Sequence, residues 1–121
     1  MAQVVGIAAK AFSKCKALTK AVIGAKVTSV GAKAFNGAKK LKTLVVGAKV
    51  ATIGKLAFKG CKKLKAATVK SGALKKASCK NLVKSTKIVK IKLAGKAAKK
   101  MKKKYKKFFP KKNAGKKLKI S

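Results

Sequence analysis

Hydrophobic positions recur along this chain with a 23-residue period, the step from Phe12 to Phe35 and again from Phe35 to Phe58. Leu18, Leu41 and Leu64 share the register. Val4, Val27 and Val50 keep the same spacing, and so do Ile7, Val30 and Ile53. Two local patterns alternate within a copy. Leu44 and Val46, two apart, read as a short half-buried strand. Val27 and Val30 lead into Gly31, a turn signal, and Ala34, Phe35 and Ala38 then recur at helical or 3₁₀ spacing before Leu41. The predicted unit is strand, turn, short helical bend, strand. One such unit cannot bury its own apolar edge, whereas stacked copies can. A fixed period in the 20–29 range therefore predicts coils stacked into a solenoid.

The first copy is partly degraded, with Ala8 where the second has Gly31. After Lys70 the register breaks. Cys79-Lys80-Asn81-Leu82 repeats the Cys-x-x-Leu element, but sooner after Cys61 than the period allows, so residues 71–86 read as a shortened final coil. Ile88 to Leu93 alternates apolar residues with lysine, the pattern of a strand with one wet face. Ala98, Met101, Tyr105 and Phe108 then mark one face of a helix over 96–109, stopped by Pro110. Asn113-Ala114-Gly115 is a turn, and Leu118 and Ile120 alternate as a last strand. The expected fold is an α/β repeat: a short leucine-rich-repeat-type solenoid of about three and a half coils over residues 1–86, closed by a strand-helix-strand cap over 87–121.

Two runs carry a resemblance to a known family. Val27-Thr28-Ser29-Val30-Gly31-Ala32-Lys33-Ala34-Phe35 and Ile53-Gly54-Lys55-Leu56-Ala57-Phe58-Lys59-Gly60-Cys61-Lys62-Lys63-Leu64 resemble the BspA-like leucine-rich repeats of bacterial surface proteins. The likeness covers roughly residues 4–70. It departs from the family at Gly47 and Lys70, where proline is usual, and in having no acidic residue. The resemblance implies a non-enzymatic binding module acting in attachment, a host or cell-surface protein as partner, and an extracellular or cell-surface location with the export signal outside this stretch.

Charge changes the picture. The 121 residues include 36 lysines and no arginine, histidine, aspartate or glutamate. An ordinary chain of this length would carry about fifteen acids, so their absence reflects removal, by selection or by engineering. Hydrophobic content of 48% excludes a disordered basic tail, because disordered chains are poor in apolar residues. The longest lysine-free stretch, Met1 to Ala9, falls far short of the roughly 18 apolar residues of a membrane span and lacks the basic start of a signal peptide.

The same composition narrows the chemistry. General acid–base catalysis normally draws on histidine or carboxylates, and metal sites draw on imidazole, carboxylate or clustered thiolate. No catalytic residue, metal site or cofactor is expected. Cys15, Cys61 and Cys79 each stand three positions before a repeat leucine, in the slot that Ala38 fills in the second copy. A slot taking cysteine or alanine asks for a small apolar group.

The lysines remain as the functional candidates. Lys16, Lys39 and Lys62 share a register, as do Lys26 and Lys49, and Lys42 and Lys65. In stacked coils each register becomes a column with neighbours about 4.8 Å apart. Such columns are either a solvated face or an anion-binding ladder. Lysine is a point charge without the fork of arginine, and aromatics are scarce. Binding to nucleic acid, acidic polysaccharide or anionic membrane is therefore expected to be nonspecific, without sequence readout. The helix over 96–109 admits a membrane-surface reading, with lysines opposite an apolar stripe; packing onto the last coil is the expectation.

Overall fold

A computed structural model describes Gly6, Ile7, Phe12, Ser13 and residues 15–121 of the protein, with the backbone alone for Gly6 and Ile7. Val4 and Ala8 lie outside the described residues. The sequence period appears as two columns of parallel strands. On one side β1 (Gly6–Ile7), β3 (Ser29–Val30) and β5 (Thr52–Ile53) form a three-stranded sheet, with Gly6 opposite Ser29 and Ser29 opposite Thr52. On the other, β2 (Lys20–Val22), β4 (Thr43–Val46) and β6 (Ala66–Val69) start a larger sheet, with Ala21 opposite Leu44 and Val45 opposite Thr68.

The bend between the columns is also stacked, and it consists of turns rather than helix. Phe12 N–H donates to the Ala34 carbonyl at 2.7 Å, and Phe35 N–H to the Ala57 carbonyl at 2.7 Å. Its backbone repeats too. Lys33 and Leu56 have φ of 56° and 57°, and Gly37 and Gly60 both have φ of 81°. Close approach explains Gly47: a Cβ there would strike the carbonyl oxygens of Ile23 and Gly24 on the coil beneath.

Between the sheets lies the core. Val30, Leu41, Leu44, Val46, Val50, Ile53 and Leu64 are buried, and Leu18 is partly buried against them. Phe12, Phe35 and Phe58 form a stack with ring centroids 5.1 Å apart at each step and planes within 9°. Phe35 and Phe58 are buried, whereas Phe12, at the end of the stack, is 41% exposed.

Beyond Lys70 the structure departs from the shortened coil expected over residues 71–86. The coil is not shortened. Strand β7 (Lys90–Leu93) pairs parallel with β6. Ala66 lies opposite Lys90, a step slightly longer than the one that sets Val45 opposite Thr68. Cys79 comes early because a helix, α1 (Lys76–Val83), replaces the strand and bend of the earlier coils. The helix expected over 96–109 is two pieces, α2 (Lys96–Lys100) and α3 (Lys102–Phe108), joined at Met101 with φ −90° and ψ 3°. Neither piece has a side-chain cap. The apolar stripe faces inward: Ala98, Tyr105 and Phe109 are buried and Met101 and Phe108 pack against the core. A hairpin of β8 (Lys112–Asn113) and β9 (Lys116–Lys117) follows. Finally β10 (Lys119–Ile120) joins β7 in parallel, completing a five-stranded sheet in the order β10-β7-β6-β4-β2.

Candidate anion-binding surface

Every described lysine is exposed, and the chain contains no carboxylate side chain to pair with any of them. The sequence-derived columns sit at different corners of the coil. Lys42 and Lys65 stand at the entrance to β4 and β6, whereas Lys26 and Lys49 follow the exits of β2 and β4. Lys16, Lys39 and Lys62 occupy the turn after the phenylalanine bend. The structure brings Lys62 and Lys65 together with Lys87 and Lys116 around one shallow cavity of about 250 Å³. It does not bring Lys26 and Lys49 to that corner.

A second concentration of charge lies on the outer face of the five-stranded sheet, in a groove of about 550 Å³. Lys90 and Lys119 are direct neighbours across β7 and β10. Lys92, two positions along β7, shares their face because strand side chains alternate with period two. Lys42 borders the same groove. Fixed-period reasoning misses Lys90, Lys92 and Lys119. Here Ala66 pairs with Lys90 and Lys90 with Lys119, and both steps are longer than the repeat. The signal that finds these lysines is local: the alternation from Ile88 to Leu93, and that of Leu118 with Ile120.

Two of the three thiols, those of Cys61 and Cys79, are locked away. Burial pushes the Cys61 thiol up to about 11, an effect lessened by the Ala38 backbone, and the thiol donates to the Phe35 carbonyl at 3.3 Å. Burial pushes Cys79 up to about 12. All three cysteines are free, Cys15 half-buried and the other two buried. Burial also raises the pKa of Tyr105. Its hydroxyl donates to the Ser71 carbonyl at 2.6 Å and accepts from Leu74 N–H at 3.3 Å. Among the described residues no group of three histidine, cysteine or acidic side chains is placed to hold a metal, and no helix is long and apolar enough to cross a membrane.

Parallel strands stacked at the sequence period, with an aromatic column in the bend, define a repeat protein of the leucine-rich class. The chain belongs to the family described as BspA type Leucine rich repeat region, which matches residues 2–112 in six copies. That match extends past Lys70, through the segment where the regular register is lost. Comparison with curated proteins and with solved structures found no match.

Proposed function

We propose that this protein is a non-enzymatic repeat binding module whose lysine surface takes anionic polymers or anionic surfaces by charge. The scaffold in this reading is a solenoid of about three and a half coils over residues 1–86, with residues 87–121 as its closing unit. The parallel pairing of β1, β3 and β5 and of β2, β4 and β6 supports it. The observation that carries the function is charge of one sign, +36 over 121 residues, on lysines that are exposed wherever they are described. Such a field concentrates anions around the molecule. The reading is the same whether selection or engineering removed the acids. Family membership favours a second reading, attachment to a host or cell-surface protein from an extracellular or cell-surface location.

Fluorescence titrations with duplex DNA, heparin and anionic vesicles test the first reading. A ligand engaging six to ten charges is expected to lose about 10³–10⁵ in affinity between 50 and 200 mM salt, without sequence preference. Salt-independent or sequence-selective binding contradicts it.

A further inference from the structure

We infer that the outer face of the five-stranded sheet is a groove for an acidic oligosaccharide, a sulfated or phosphorylated glycan chain. This rests on the anion-binding reading above and assigns it a place and a ligand class. Two rows of side chains line the face. In the first, Lys20 lies opposite Thr43, and Ala66, Lys90 and Lys119 continue the row. In the second, Val22 and Val45 are followed by Thr68 and Lys92. Ser121 completes it: its N–H donates to the Ile91 carbonyl and its carbonyl accepts from Leu93 N–H, which sets it opposite Lys92.

The groove exists because Thr43, Ala66 and Thr68 are short where their neighbours are lysines. Lys90 and Lys119 stand about 4.8 Å apart at the backbone, and Lys90 and Lys92 about 6.6 Å apart. One end of the groove thus concentrates three lysines, Lys90, Lys92 and Lys119. Its floor and far wall offer the hydroxyls of Thr68 and Thr43, and Ser121 adds a third at the cationic end, each able to donate and to accept. Clustered cations beside uncharged hydroxyls fit a ligand with spaced anionic groups on a hydroxylated frame. A nucleic acid is a poorer fit. It carries one charge per roughly 3.4 Å of strand and draws affinity from aromatic stacking, and no aromatic residue lines this groove. Nor does it hold an arginine fork for phosphate.

The test is a titration of the full chain with a heparin-derived hexasaccharide and with a charge-matched single-stranded oligonucleotide, at about 0.15 M salt where exposed charges are screened beyond about 8 Å. Two triple variants lose the same charge: Lys90→Gln, Lys92→Gln and Lys119→Gln in the groove, and Lys99→Gln, Lys103→Gln and Lys107→Gln on the helices. The groove triple is expected to weaken the hexasaccharide at least tenfold and the helix triple less than twofold. Thr68→Val, which leaves charge untouched, is expected to weaken it about threefold, the worth of one hydrogen bond. Equal losses from both triples overturn the groove while leaving charge-driven binding intact. An oligonucleotide that binds as tightly through the same three lysines overturns the glycan assignment. No binding of either probe to the unaltered chain overturns this inference and the reading beneath it. Circular dichroism of each variant confirms that it is folded.

Discussion

Phe35 has a stacked ring on both sides, each centroid 5.1 Å away, and is 3% exposed. No neighbour can collapse into its place without breaking a coil contact. Phe35→Ala is therefore expected to cost about 3–5 kcal/mol in denaturant unfolding; a cost under about 1 kcal/mol would show that the column does not hold the coils together. The cysteine slot makes a second, independent statement at this scale. Cys61 and Cys79 are buried and Cys15 is half-buried. A chromogenic disulfide reagent at neutral pH is expected to label Cys15 in the folded protein, and Cys61 and Cys79 only after denaturant is added. The thiols also impose a pH dependence. Their folded pKa values, about 11 and about 12, lie above the ordinary value of 9.0, so the protonated form is favoured by folding. That contribution is complete below about pH 9 and is lost as pH rises through about 11 and 12. The melting-temperature gap between the protein and Cys79→Ala should accordingly narrow from pH 9 upward; a constant gap contradicts the assignment.

The helix α1 does a task that the repeat pattern does not announce. Strand β5 is the last in its column, and its free edge faces α1 instead of another strand. Ser78 Oγ accepts from Ile53 N–H at 3.2 Å and donates to the Ala51 carbonyl at 2.7 Å. Asn81 Nδ2 donates to the Ile53 carbonyl at 2.8 Å, and Lys75 N–H to the Ala51 carbonyl at 3.2 Å. Two side chains and one backbone N–H thus supply what a further strand would have supplied, satisfying the open edge and blocking its extension. Ser78→Ala strips a buried partner from Ile53 N–H and should cost about 1–3 kcal/mol in thermal or denaturant melts. A cost near zero would mean that the edge is not sealed by this helix. Tyr105 makes the matching lock for the later helices through Ser71 and Leu74.

These elements mark how far the chain can be read from its sequence. The strand registers, the aromatic column and the small slot are legible because each returns at the same interval with the same residue type. The cap over β5 is not, since Ser78 and Asn81 act once and belong to no period. The break at Met101 is hidden because the apolar spacing runs on through it. The groove lysines are half legible. Their alternation reveals strands, but which strands become neighbours depends on the pairing of Ala66 with Lys90 and of Lys90 with Lys119, which only the fold supplies.

For the molecule as a whole, burial of the repeat core works against charge of a single sign. A domain of this size retains only about 5–15 kcal/mol of net stability. Two unit charges about 4 Å apart repel by roughly 1 kcal/mol in bulk water, and long lysine stems splay to relieve part of it. Folding gathers lysines into columns such as Lys16, Lys39 and Lys62 and into the triad of Lys90, Lys92 and Lys119. Anything that screens or neutralises these charges should stabilise the fold, and a polyanion bound to the folded surface should stabilise it further by mass action. The most direct measurement is a series of thermal melts followed by circular dichroism from near-zero to about 0.5 M sodium chloride, a range that takes the Debye length below about 10 Å, repeated at the lowest salt with heparin added. The account predicts a melting temperature that climbs with salt and climbs again with heparin in the absence of salt. A melting temperature that stays flat or falls in both series would contradict it, showing that the apolar stack alone sets stability and that the lysine surface does not gather anions.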